Sequence, residues 1–190
     1  MPQRKQTPPA TRSRAPRTRR SWRTWLIGGL GVVILGALVV FIARDVSTKP
    51  QDDVAPPAGV ETFEVASADH TTDSVDYPQT PPVGGPHSAA TLACGAYDAP
   101  VRNEEAVHSL EHGAVWITYQ PDLDTAAIAD LDRFARQSEV LVSPYPGLDV
   151  PVVLSTWGTQ LRLDTVDDAT ITQFIGAFKN KTAPEGAATC

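Results

Sequence analysis

The hydrophobic pattern of this chain changes character along its length, and each change predicts a different kind of structure. Trp25 to Ala43 is nineteen residues without a charge, WLIGGLGVVILGALVVFIA, about the length that crosses a hydrocarbon core of roughly 30 Å. It predicts a transmembrane helix. Beyond a polar linker the pattern turns to short strands and helices. Val60, Thr62 and Glu64 alternate with Glu61, Phe63 and Val65, predicting a first strand over 60–66 with one apolar face. From His70 to Arg102 no period is visible. The run Tyr77-Pro78-Gln79-Thr80-Pro81-Pro82-Val83-Gly84-Gly85-Pro86-His87 predicts a long, rigid loop, because its prolines and glycines suit no regular element. Asn103 to His112 reads as a short helix, with Asn103 as its cap, Glu104 and Glu105 in its first turn, His112 in its last and Gly113 just past it.

The remaining pattern is denser. Ala114 to Tyr119 is β-branched, aromatic and nearly continuous, predicting a central strand. Ile128, Leu131, Phe134 and Ala135 fall at helical spacing within 125–137, after Asp122, Asp124 and Thr125 as candidate caps. Short strands follow over 140–143, 150–156 and 160–163, the last two joined through Trp157-Gly158 as a hairpin. Asp167 caps a final helix with an apolar stripe of Ile171, Phe174, Ile175 and Phe178. The order predicts an α/β domain of the α+β kind, a mixed sheet with packed helices, behind a single membrane span. From the strand at 114 onward the element order resembles the second half of a thioredoxin-like domain. No Cys-x-x-Cys accompanies it, so the likeness concerns shape alone. Five segments result: a basic arm over 1–24, the span over 25–43, a linker over 44–59, a globular domain over 60–180 and a tail over 181–190.

Charge orients these segments. Residues 1–23 carry eight Lys or Arg and no acid, whereas the remainder carries eight basic and twenty-two acidic residues. The basic arm before the span places the N-terminus in the cytoplasm and the domain outside the membrane. Thr18-Arg19-Arg20-Ser21-Trp22 also resembles a twin-arginine export signal, although no Ala-x-Ala cleavage pattern follows the span. The expected contact of 25–43 is the lipid bilayer. The acidic domain argues against nucleic acid as a partner, and Val83-Gly84-Gly85-Pro86 lacks the Lys and following helix of a phosphate-cradling loop. Cys94 and Cys190, too few for a disulfide framework, are candidates for one bridge or for two separate thiols.

Candidate chemistry concentrates where histidine does. All four histidines, His70, His87, His108 and His112, lie in the loop-rich half of the domain. In the predicted helix His108 and His112 share one face, four residues apart, with Glu111 beside them. Imidazole nitrogens suit zinc or copper, so His108 and His112 with His87, His70 or Glu111 form a candidate metal site. The same residues also fit a structural role, since a histidine near a helix end complements the dipole and a His–Glu pair forms an ordinary hydrogen bond. His108-x-x-Glu111-His112 matches the H-x-x-E-H of inverted zinc peptidases. Here the helix is short and no histidine lies downstream, leaving acids such as Glu139. Cys94 as a nucleophile has no activating neighbour in sequence, and Ser88 has no nucleophile-elbow pattern around it.

A membrane span followed by Tyr77, Pro81-Pro82, Gly85-Pro86-His87, Gly95, Tyr97, His108-Ser109-Leu110-Glu111-His112-Gly113 and an apolar strand resembles the bacterial domain-of-unknown-function 3105 family. Pro144-Tyr145-Pro146 and Trp157-Gly158 resemble its later landmarks, so the likeness covers residues 60–180. Gly84 departs from the hydroxyl residue the pattern leads one to expect. The resemblance implies a membrane-tethered domain outside the cytoplasm and brings no activity. A class-distinct alternative is a non-catalytic cell-envelope module that docks a protein or glycan partner. Its loop surface would centre on Tyr77, Pro82, Gly85 and Tyr97, with Tyr145 as a further contact, and its histidines would be structural.

Overall fold

The computed structural model describes residues 54–186. The basic arm, the apolar stretch 25–43, most of the linker and Cys190 therefore lie outside the described residues. Among the described residues no helix is long and apolar enough to cross a membrane.

Six strands form one mixed sheet: β1 (Glu61–Thr62), β2 (Gly95–Ala96), β3 (Val115–Tyr119), β4 (Val140–Pro144), β5 (Val152–Thr156) and β6 (Thr159–Leu163), in the spatial order β1-β6-β5-β3-β4-β2. β4 runs parallel to both β2 and β3, while the pairs on the other side of β3 are antiparallel. Three helices accompany it: α1 (Asn103–Glu111), α2 (Thr125–Asp132) and α3 (Asp168–Phe178). The architecture is α+β.

The two faces of the sheet differ in chemistry. Strand alternation sends Val115, Ile117, Val140, Val142, Val152, Leu154 and Leu161 to one face, where Leu131, Phe134, Ile171, Phe174 and Ile175 complete the main core. On the opposite face Trp116 and Leu141 pack against Ala106 and Leu110 of α1. That face is partly polar. Register places Ser155 opposite Trp116 and Gln160 opposite Ser155. The Trp116 indole donates to Ser143 Oγ at 3.0 Å, and the Gln160 amide donates to the carbonyl of Pro81 at 2.9 Å and to Ser155 Oγ at 3.1 Å. Because helices cover one face and α1 with the 70–102 loop covers the other, β3, β4 and β5 are buried throughout, which is why β3 reads as a nearly unbroken apolar run.

The loop is held from both sides. Against the hairpin, the Gly158 N–H donates to the carbonyl of Val83 at 2.7 Å. Against α1, Val75 N–H donates to Glu104 Oε1, Ser88 N–H to the carbonyl of Glu104, and Leu92 N–H to Ser109 Oγ. Gly84 sits where a Cβ would lie 2.7 Å from a methyl of Val65. Space there accounts for glycine in place of a hydroxyl residue.

The structure corrects several sequence expectations. The 70–102 segment is not free of regular structure: it contains β2 and an isolated parallel bridge between His70 and His87. The first strand contracts from seven residues to Glu61–Thr62, because only these pair with β6. The helix expected over 125–137 ends at Asp132 and tightens into a 3-10 turn over Phe134–Arg136. Arg102, not Asn103, stands at the N-cap of α1 and makes no side-chain cap. Asn103 instead donates to the Tyr145 hydroxyl at 3.2 Å. Asp124 and Asp167 cap α2 and α3, each accepting from a backbone N–H two residues on, as the pattern leads one to expect.

α1 ends in a Schellman arrangement: Gly113 N–H donates to the carbonyl of Leu110 and Ala114 N–H to that of Ser109. Gly113 has φ of 94°, and a Cβ there would stand 2.9 Å from the Cα of Asn180. Gly113→Ala therefore meets both a disfavoured backbone and a backbone neighbour. It is expected to destabilise the domain by about 2–3 kcal/mol, measured as a lower urea midpoint at unchanged slope. An unchanged midpoint would contradict this account of the helix end.

Candidate functional site

The site forms where the loop crosses α1. His87 N–H donates to the carbonyl of Asp69 at 3.0 Å and Thr71 N–H to that of His87 at 2.7 Å. These two bonds align the chain on either side of His70 with His87, so their rings lie with centroids 5.0 Å apart. α1 brings the third ring: His108 stacks on His70 at 4.9 Å and meets His87 edge-on at 5.1 Å. Glu111, one turn further along the helix, completes the group. One ligand atom from each of His70, His87, His108 and Glu111 falls within 4.8 Å of all the others. His87 and Glu111 are fully buried, His108 nearly so, and the His70 side chain is 48 % exposed. Trp157 closes the wall behind His87 at 5.9 Å between ring centroids.

The hydrogen bonds define which nitrogen faces inward. His87 Nδ1 lies 2.8 Å from the carbonyl of Gly85, and His108 Nδ1 lies 2.6 Å from the carbonyl of Ser88. A carbonyl only accepts, so both Nδ1 atoms carry the proton and both Nε2 atoms of the neutral rings present lone pairs. His87 Nε2 faces Glu111 Oε2 at 3.0 Å, and His70 Nε2 stands 4.0 Å from the same oxygen. His108 Nε2 faces His112 Nε2 at 2.9 Å. A lone pair opposed to a carboxylate oxygen needs either an additional proton or a cation. Two atoms beside this cluster, Glu111 Oε1 and His112 Nδ1, are buried with no hydrogen-bond partner among the described residues. Such orphans are rare in folded proteins.

The pairing of the remaining candidates is also visible. Tyr77 donates to the carbonyl of Pro86 at 2.7 Å, and burial, aided by the charge of Glu104, raises its pKa so that the phenol stays protonated. Tyr97 donates to the carbonyl of Ala93, and burial likewise raises its pKa. Both rings, with Tyr145, are half-buried rather than exposed, and Pro82 is buried. Gly85 contributes its carbonyl rather than a surface. Cys94 is disulfide-bonded and so carries no thiol nucleophile; Cys190 lies outside the described residues. Glu139 pairs with Lys179 at 3.9 Å, apart from the cluster. The downstream carboxylate that does approach it is Glu185, which groups with Glu111 and His112. Sequence reasoning missed Glu185 and the carbonyls of Gly85 and Ser88. An acid in an unpatterned tail carries no signal, and a backbone acceptor has none to carry. Ser88, considered for its hydroxyl, serves instead through its carbonyl.

His70 opens onto the surface. With Thr71, Thr72, Ser88, Ala89, Ala90 and Arg102 it lines a cleft of about 680 Å³. Solvent and small solutes thus reach the cluster through His70.

Fold and site together define the class: an α+β domain whose mixed sheet carries, on its loop-covered face, a buried histidine–carboxylate cluster. The chain belongs to the family described as protein of unknown function, DUF3105, whose model matches residues 69–190 and so takes in all four histidines. No curated protein and no solved structure matches the chain.

Burial, outweighing the hydrogen bond to Ser88, lowers the pKa of His108, and the neighbouring histidines His112, His87 and His70 add to the effect. The folded chain then binds this proton less readily than the unfolded one. His108 contributes stability in full above its unfolded pKa of about 6.5, lost as pH falls through the lower folded value. Metal-free protein melted in chelator is expected to lose thermal stability as pH falls below about 6.5, with a shallower loss in His108→Gln, whose amide can still donate to Ser88. Equal slopes for the two proteins would contradict this assignment.

Proposed function

We propose that this chain is a metal-binding domain tethered to a membrane and facing away from the cytoplasm, in which His70, His87, His108 and Glu111 take one zinc or copper ion. The observation that carries the reading is the fixed tautomer of His87 and His108. Each spends its Nδ1 proton on a backbone carbonyl, which leaves Nε2 of His87 facing Glu111 Oε2 and Nε2 of His108 facing His112, in a group whose ligand atoms lie within 4.8 Å of one another. Outer hydrogen bonds of this kind hold imidazole ligands in metal sites. Three nitrogens and a carboxylate oxygen are donors suited to zinc or copper.

A second reading has one observation in its favour. A protonated His87 donating to both Gly85 and Glu111 Oε2 would be a satisfied structural pair, as in a non-catalytic envelope module that docks a protein or glycan. That pair uses neither His70 nor His108, whereas a divalent cation would draw on His70, His87, His108 and Glu111 Oε2 together. Donors each about 2.0–2.1 Å from a tetrahedral zinc stand about 3.3 Å apart. The observed spread of up to 4.8 Å would close by as much as about 1.5 Å.

Support for the membrane setting comes from the uncharged stretch 25–43, the basic arm before it and the disulfide state of Cys94, which suits an oxidising compartment. We extend the proposal to Cys190 as the bridging partner. Bound metal would supply a Lewis acid at the floor of the cleft.

The full-length chain, stripped with chelator and dialysed against zinc or copper, is expected to retain metal near stoichiometrically. His87→Ala and His108→Ala each lower the affinity by more than the roughly 10–100-fold typical of losing an outer-shell partner. Affinity also falls as pH drops through about 7 to 6. Metal-free protein of unchanged stability would overturn this reading and favour the envelope module.

A further inference from the structure

Glu111 has two oxygens, and only Oε2 is used by the cluster described above. Oε1 is buried with no hydrogen-bond partner among the described residues, and the other such atom is His112 Nδ1. These two orphans belong to one group: Glu111, His112 and Glu185 each place a ligand atom within 4.8 Å of the other two. The protonation of His112 follows from its neighbour. His108 has its proton on Nδ1, held by Ser88, so the contact of 2.9 Å between the two Nε2 atoms is donated by His112. Neutral His112 then has a bare lone pair on Nδ1. Two carboxylate groups and an imidazole lone pair meet here, and among the described residues neither Glu111 Oε1 nor His112 Nδ1 has a hydrogen-bond donor. An arrangement of acceptors alone is costly without a cation.

Glu185 does not arrive there by chance of a loose end. Asn180 N–H donates to the carbonyl of Gly113 at 2.9 Å, and Thr182 Oγ1 bonds Thr156 Oγ1 at 2.8 Å. The first contact holds the segment after α3 against the end of α1, one residue past His112, and the second holds it against the end of β5.

Resting on the metal-binding reading above, we propose that Glu111, His112 and Glu185 form a second cation position, with Glu111 bridging it to the first, so that each domain binds two divalent ions. Oε2 serves the first position and Oε1 the second. When the first ion takes the lone pair of His108, the Nε2–H of His112 turns to solvent, which its half-buried ring can reach, and Nδ1 keeps its lone pair. Two oxygen donors and one nitrogen make this position harder than the first, suited to zinc or manganese.

The test is a count of ions. Full-length, chelator-stripped protein is equilibrated with zinc alone, and bound metal per chain is measured by elemental analysis. Two ions are expected for the wild type and one for Glu185→Gln, an exposed tail substitution that leaves the first position intact. His112→Ala is likewise expected to hold one ion. The manganese-loaded wild type should give an exchange-coupled electron paramagnetic resonance signal that Glu185→Gln abolishes. One ion in the wild type, unchanged in Glu185→Gln, overturns the second position and leaves the first standing. Two ions in both proteins also overturn it. No bound ion at all overturns both this inference and the reading on which it rests.

Discussion

Two hydrogen bonds set everything else at this site: the Nδ1–H groups of His87 and His108 donating to the carbonyls of Gly85 and Ser88. Without them either ring could turn, and the Nε2 lone pairs that face Glu111 and His112 would have no fixed direction. The carbonyls are themselves held by the loop's geometry. Gly85 follows a glycine pressed against Val65, and Ser88 is tied through its own N–H to Glu104 of α1. Backbone acceptors serve this purpose well, because a carbonyl in a braced loop cannot swap donor and acceptor roles as a side-chain amide can.

The sheet makes that loop possible. Its helix-covered face carries the main apolar core, which frees the other face to spend part of its surface on anchors. Gln160 and the hairpin's Gly158 take hold of Pro81 and Val83, while Ser109 and Glu104 of α1 take hold of Leu92, Ser88 and Val75. A segment with little regular structure of its own thus becomes a fixed wall, tied to the sheet on one side and to α1 on the other. Fixing both sides of the cluster before any ligand arrives is what gives a binding site its precision.

What the sequence made legible follows the range of the interactions involved. The Trp157-Gly158 hairpin, the Asp124 and Asp167 caps and the close of α1 at Gly113 are local, and local chemistry suffices to read them. β2 is two residues long and pairs only with distant β4, so no period betrays it. Asn103 has the side chain of a cap, yet a tertiary partner, Tyr145, claims it. The candidate residues His70, His87, His108, His112 and Glu111 could be named from composition and spacing. Their mutual placement depends on a bridge between residues 70 and 87 and on the docking of α1, both long-range. Glu185 depends on a chain returning after α3, which a tail of this composition does not announce.

The central claim concerns one lone pair on each of two rings, and nitrogen NMR observes that directly. Long-range ¹⁵N–¹H spectra of the histidine side chains, recorded on the metal-stripped full-length chain and again after zinc is added, report the protonation of every ring nitrogen. The account predicts that His87 and His108 keep Nδ1–H in both states and that their Nε2 resonances move from unprotonated to metal-bound on adding zinc. Doubly protonated His87 near neutral pH, with spectra unmoved by zinc, would contradict it.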